Sequence, residues 1–157
     1  MYYFAGEVAK IRSLRDPSSK MSKSDDNDMS RIDLSDSTDL VYKKITKAMT
    51  DSVSRVVTYD PDLRPGLSNL IDLHMTLTGK SSEEIVSFAQ NQNLNKKTYK
   101  EYLASVVNEH IQPINSEMQR LLSDRGHLSA VLKAGQEKAS SIAEKTMKEV
   151  KHLVGFS

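Results

Sequence analysis

Lys20 and Lys23 are the residues of this chain best placed by type and spacing to do chemistry. They stand three apart in Lys20-Met21-Ser22-Lys23-Ser24, and Asp25-Asp26-Asn27 follows at once. A lysine ammonium is a compact, strongly hydrated cation on a long flexible stem. Two of them on a short, mobile, polar loop can close over an anion and reach successive phosphate groups from one side. If bond breaking builds charge on a departing phosphate, cations held there stabilise the transition state more than the ground state. Ser22 and Ser24 add short donors, Ser22 shapes the turn, and Met21 reads as a packing anchor. On composition alone, a Ser/Lys/Asp-rich surface loop without a ligand is the favoured reading, and a phosphoserine site is a further one.

Charge changes sign just after this loop. Residues 1–24 carry Lys10, Arg12, Arg15, Lys20 and Lys23 against Glu7 and Asp16. Residues 25–40 carry Asp25, Asp26, Asp28, Asp33, Asp36 and Asp39 against Arg31. Two readings of the acidic stretch stand side by side: a tether that restrains the basic loop when its anion is absent, or a solvated linker.

The chain's 157 residues suffice for one ordinary domain, or a small domain with part of another. With 38% hydrophobic and 27% charged residues it is polar but able to bury a core. The net charge of +1 makes it no polycation, so a nucleic-acid surface has to come from local clustering of Lys and Arg. The absence of Cys excludes disulfides, thiolate metal sites and Cys nucleophiles. His74, His110, His127 and His152 lack ligand spacing, so no metal site is expected. No apolar run approaches the ~18 residues of a membrane span. Met1-Tyr2-Tyr3-Phe4 shows neither a signal nor a transit pattern, so the chain reads as beginning inside a longer protein.

From Ser37 onward the pattern predicts helix after helix, a mainly α body of about five. Ser37 is an N-cap, with Asp39 in the first turn and Leu40, Val41, Ile45, Ala48 and Met49 on one face. Asp60-Pro61 and Pro65-Gly66 punctuate a loop. Leu67, Leu70, Ile71, Met75 and Leu77 form the next stripe, which Gly79 ends. Ser81 and Glu84 make a capping box. Thr98 and Glu101 suggest a second, opening a long helix in which Pro113 should kink the axis. A break is predicted over Asp124 to Gly126. A last helix follows from His127 to Leu153, with Leu128, Val131, Leu132, Ala139, Ile142, Ala143, Met147, Val150 and Val154 on one face and Gly135 as an interruption. Strand signals are weak: Arg55 to Tyr59, and Val8 to Leu14.

Ala9-Lys10-Ile11-Arg12-Ser13-Leu14, Asp16-Pro17 and Lys20-Met21-Ser22-Lys23-Ser24-Asp25, taken together, resemble the end of the catalytic domain of the tryptophanyl-tRNA synthetases, which are class I aminoacyl-tRNA synthetases. Further matching segments follow in order: Ala48-Met49-Thr50-Asp51-Ser52, Thr58-Tyr59-Asp60, Pro65-Gly66-Leu67-Ser68-Asn69-Leu70-Ile71, Leu77-Thr78-Gly79, Pro113-Ile114 and Ala134-Gly135. The resemblance thus covers nearly the whole chain, and the bacterial and mitochondrial type fits best.

That resemblance implies activation of tryptophan with Mg-ATP and transfer to tRNA(Trp). Lys20 and Lys23 would be the catalytic cations, with Lys23 the more direct phosphate contact. Ile11, Lys20, Met21, Ser22, Lys23 and Ser24 would bind ATP, the backbone near Ile11 facing the adenine. Mg2+ would accompany the phosphates, with no protein metal site. Residues 1–36 would be the tail of a Rossmann-type nucleotide-binding domain, and residues 37–157 an α-helical domain facing the tRNA. Arg12 stands where the family usually has Met. The family's first ATP signature and tryptophan pocket find no match here, so the chain is expected to be a C-terminal part, inactive and monomeric by itself, of a homodimeric enzyme. The mitochondrial matrix or the bacterial cytoplasm would be its compartment, away from membranes. Two other readings are a stand-alone helical nucleic-acid-binding module, using Lys133, Lys138, Lys145, Lys148 and Lys151, and a purely structural helical protein.

Overall fold

Side-chain caps set where every α-helix but the one opening at Pro65 begins. In the computed structural model, which describes residues 10–156, the chain is mainly helical, with five α-helices and, among the described residues, no strand. Helix α1 (Thr38–Thr46) starts where Ser37 Oγ accepts the Leu40 amide at 3.3 Å, with Asp39 in the first turn. Helix α2 (Pro65–Thr78) has Pro65 in its first turn, where a missing N–H costs nothing. It ends at Gly79, whose φ of 70° is a conformation that favours glycine. Helix α3 (Ser82–Asn91) carries the predicted capping box in full: Ser81 Oγ accepts the Glu84 amide, and Glu84 Oε2 accepts the Ser81 amide at 2.7 Å.

Helix α4 (Lys96–Ser123) begins two residues before the predicted Thr98 cap. Asn95 is the cap instead. Its Oδ1 accepts the amides of Lys97 and Thr98, while Thr98 Oγ1 accepts the Asn95 amide at 2.9 Å. The same reciprocal pattern is present, shifted by three. Pro113 lies inside α4, where it leaves the Glu109 carbonyl without its helical donor. The break after α4 is shorter than predicted. Asp124 caps helix α5 (Arg125–Leu153) by accepting the His127 amide, and both Gly126 and Gly135 fall within that helix.

Two compact units divide the chain, Met1–Asn115 and Ser116–Ser157. In the first, α1, α2, α3 and the start of α4 share one core. Val41, Ile45, Leu67, Leu70, Ile71, Ile85, Ala89, Tyr99 and Leu103 are all buried in it, and Leu14 joins them from the segment before the cationic loop. Met49, expected on the apolar face of α1, lies beyond the helix end and is exposed. The Arg55–Tyr59 strand reduces to a single antiparallel bridge between Val56 and Asn95, with Val57 buried. Of the Val8–Leu14 candidate strand, Val8 and Ala9 lie outside the described residues; the rest contributes one antiparallel bridge, Arg12 to Lys20.

The second unit comprises the end of α4 and α5. The apolar face predicted for α5 exists, but the helix contains no buried residue, and Val131, Leu132, Ile142 and Leu153 are all exposed. Amphipathic spacing alone decides that a helix forms, not that a partner covers its face.

Candidate functional site

A narrow hairpin-like base carries the cationic loop. The Met21 amide donates to the Ile11 carbonyl and the Ser13 amide to the Ser19 carbonyl, each at 3.0 Å, on either side of the Arg12–Lys20 bridge. The connecting turn is tied by Asp16, whose Oδ1 accepts the Ser18 hydroxyl at 2.6 Å and the Ser18 amide at 3.0 Å. Those bonds hold the Asp16 carboxyl below its usual range. Met21 is half-buried against the core, the anchoring role predicted for it.

Beyond Met21 the loop turns outward. Lys20, Lys23 and Ser24 are exposed and Ser22 is half-buried, with Ser22 Oγ and Ser24 Oγ 3.1 Å apart. The structure therefore brings Ile11, Lys20 and Met21 together through the backbone ladder, and pairs Ser22 with Ser24 on either side of Lys23.

Asp28, Asp33 and Asp36 of the acidic stretch pair elsewhere. Arg31 pairs with Asp28 at 2.6 Å and Asp33 at 3.1 Å, and its guanidinium also donates to the Asp25 carbonyl. Asp36 takes the Lys44 ammonium at 2.6 Å. Among the described residues no carboxylate pairs with Lys20 or Lys23, so the tether reading gives way. Arg31 and Lys44 engage Asp28, Asp33 and Asp36, and the Asp25 side chain accepts the Asn27 amide instead of a lysine.

The base of the loop is bolted to helices. The Leu14 carbonyl accepts the Met49 amide at 2.7 Å, the Leu14 amide donates to Ser30, and Arg15 Nη1 donates to the Lys47 carbonyl. Asn69 of α2 bonds both backbone groups of Arg12. The Arg12 guanidinium donates to the Pro17 carbonyl at 2.9 Å. Near it, burial pushes the Asp72 carboxyl up, against the Tyr59 hydroxyl bond at 2.9 Å and the Arg12 charge, which pull the other way. At the start of α2, a Cβ on Gly66 would fall 2.4 Å from the Met49 carbonyl oxygen, so glycine lets the helix approach that backbone.

Asn69 escaped sequence reasoning, where it was one letter in a matching segment. The signal was its place in the apolar stripe of Leu67, Leu70 and Ile71, because a buried amide needs partners.

A depression of about 290 Å³ lies beside the turn, lined by Asp16, Pro17, Ser18, Met49, Thr50, Asp51, Pro65 and Gly66. Neither Ile11 nor any residue of Lys20–Ser24 lines it. Among the described residues no group of three or more His, Asp or Glu is arranged to hold a metal ion. Among the described residues no helix is long and apolar enough to cross a membrane.

Comparison with known proteins gives a consistent result. The family described as tRNA synthetases class I (W and Y) matches residues 5–112. A tryptophan–tRNA ligase of Rickettsia felis is 44% identical over 147 residues, covering 94% of this chain and 44% of the relative. One from Rhizobium meliloti is 40% identical over 152 residues, covering 96% of this chain and 42% of the relative. A crystal structure of tryptophanyl-tRNA synthetase from Campylobacter jejuni superposes with a TM-score of 0.74 at 23% identity, over 94% of this chain and 44% of that one. Another from the same organism, complexed with ADP and tryptophan, gives 0.72 at 24% identity, over 96% and 44%. The chain thus spans less than half the length of the curated relatives it matches.

Proposed function

This chain belongs to the tRNA synthetases class I (W and Y), and on that premise we propose that it is the C-terminal part of a tryptophan–tRNA ligase. In this reading residues 1–36 are the tail of a Rossmann-type nucleotide-binding domain and residues 37–157 the helical domain that faces tRNA(Trp). Lys20–Ser24 is the loop that grips ATP during activation of tryptophan. The bacterial cytoplasm or the mitochondrial matrix is the compartment, and the whole ligase is a homodimer.

The observation that carries the reading is the state of the two lysines. Both are exposed, and neither has a carboxylate partner among the described residues, although six aspartates follow within sixteen positions. Cations left free beside so many acids suit a polyanionic ligand. The arrangement fits a triphosphate: the ladder holds Ile11 and Met21 still, while Lys20 and Lys23 project from it. When Mg2+ is bound, it screens the phosphate charge. The two ammonium groups meet the β- and γ-phosphates and stabilise the charge that grows on pyrophosphate as it leaves. Ser22 and Ser24 offer hydroxyl donors beside them, and the backbone at Ile11 faces the adenine.

Two measurements test this. Mg-ATP titrated into the 157-residue chain should shift the amide signals of Ile11 and Lys20–Ser24, and no shift at millimolar ATP overturns the loop assignment. Tryptophan-dependent ATP–pyrophosphate exchange should be absent from this chain alone, because the adenylation geometry needs the tryptophan pocket in place. Clear exchange would refute the assignment of that pocket to the rest of the ligase.

A further inference from the structure

The segment Ile11–Ser13 behaves as a strand with two edges. On one edge, the Ile11 carbonyl and the Ser13 amide bond Met21 and Ser19. Arg12 lies between them in a bridge to Lys20, so its own amide and carbonyl point the other way. A second strand would ordinarily take those groups. Here Asn69 takes both: its Oδ1 accepts the Arg12 amide at 2.7 Å, and its Nδ2 donates to the Arg12 carbonyl at 3.0 Å. Asn69 is 2% exposed and lies 57 positions away on α2. A side-chain amide carries one acceptor and a two-proton donor at the spacing of a peptide edge, so it can stand in for a strand.

We propose that Asn69 is a positioning residue for the Lys20–Ser24 loop, fixing Ile11–Ser13 to α2 and thereby setting where Lys20 and Lys23 stand. The proposal rests on the reading of that loop as the element that grips ATP phosphates. Its physical content is a direct connection between the helical body and the loop. The connection runs from Asn69 through Arg12 to the Ser13–Ser19 and Met21–Ile11 bonds. It is reinforced where Gly66 lets α2 abut the Met49 carbonyl and where the Met49 amide bonds Leu14. A displacement of α2 therefore displaces the base of the loop with it.

Hydrogen exchange on the 157-residue chain and two variants separates this role from general stability. In Asn69→Leu the amides of Ser13 and Met21 should exchange about tenfold or more faster, while those of α3 and Leu103 to Val107 change little. In Asn69→Asp the new carboxyl, when protonated, keeps one acceptor and one donor. Ionised, it loses the donor and sets an anion against the Arg12 carbonyl. Protection of Ser13 and Met21 should therefore match the parent chain at acid pH and fall as pH rises. The parent at the same pH is the reference, since Asp72, Tyr59, His74 and Arg12 are common to both. If Asn69→Leu fails to fold, the pH profile of Asn69→Asp carries the test. Unchanged exchange at Ser13 and Met21 in the folded variants overturns the clamp.

Mg-ATP binding supplies the second reading. About tenfold weaker binding to Asn69→Leu than to the parent supports the positioning role. Equal binding despite loosened amides overturns it. A parent chain that shows no response to Mg-ATP overturns the ATP assignment instead, and the exchange data then decide the clamp by themselves.

Discussion

Two groups of cations in this molecule share a chemistry and differ in everything else. Lys20 and Lys23 are exposed and unpaired among the described residues. Lys44, Arg64 and Lys100 are buried, and each has at least one partner. Lys44 Nζ meets Asp36 at 2.6 Å. Arg64 pairs with Asp51 at 3.0 Å and donates to the carbonyls of Ser54 and Val56 and to the Thr58 hydroxyl. Lys100 donates to the Ala48 carbonyl at 2.8 Å, where burial lowers its pKa, with a smaller push from Lys96 and an opposing pull from Asp51. Burial disfavours ionisation of Asp51 too, but the Arg64 bond, the Val53 amide and the charges of Arg64 and Lys96 outweigh it and hold its carboxyl below the usual range. A buried charge is costly unless it is paired and bonded, so the second group reports on folding. An exposed charge costs nothing to keep free, so the first group is available to a ligand.

Removing a partner from the buried group should have the largest effect. Asp36→Ala strands the Lys44 ammonium with Asp33 at 3.8 Å as its remaining neighbour, and urea unfolding should show a loss of about 3–5 kcal/mol. A loss under about 1 kcal/mol would mean that Lys44 escapes to water, and the contrast would collapse.

Arg64→Met comes next. It removes the donor from the part-buried Ser54 and Val56 carbonyls and leaves Asp51 with Lys96 at 3.6 Å as its remaining cation, at about 3 kcal/mol, readable as a lower urea midpoint with more proteolysis between Asp51 and Leu63.

A buried base extends the comparison to pH. His74 sits beside Tyr99, with Nδ1 3.2 Å from its hydroxyl, and burial lowers its pKa to about 4, helped by the charges of Lys80 and His110. The folded value lies below the unfolded one. Its contribution is therefore intact above pH 6.5 and is lost as pH falls from 6.5 toward 4. Stability should drop by about 1–2 kcal/mol between pH 6.5 and 5, and the drop should flatten in His74→Gln. An equal pH slope in that variant would assign the effect elsewhere.

The smallest change in stability belongs to the exposed pair. Lys20→Ala and Lys23→Ala should each leave the urea midpoint within about 0.5 kcal/mol of the parent while weakening Mg-ATP binding. A large stability loss would show that these lysines carry structure after all.

Legibility in the sequence follows the range of the interaction. Ser37, Ser81 with Glu84, and Gly79 act within four residues, and each stands where the pattern put it. The Asn95 cap shows how close a competitor can be. Asn95 and Thr98 reproduce a reciprocal box, and the adjacent Thr98–Glu101 spacing looks the same in one dimension. The two apolar faces of α3 and α5 show the limit of periodicity. Ile85 and Ala89 are buried, while α5 buries nothing despite equally regular spacing.

By itself the sequence determined the helical character, the caps at Ser37, Ser81 and Gly79, the family and the presence of a two-lysine loop. These depend on local backbone bonding and on residue order. The tertiary structure decided which cations are free, which acids are spent on Arg31 and Lys44, and that Asn69 supplies the missing edge for Arg12. The longest of them join residues dozens of positions apart, as Asn69 joins Arg12 and Lys100 joins Ala48, and they turn on desolvation, which a residue acquires only when the chain has closed around it.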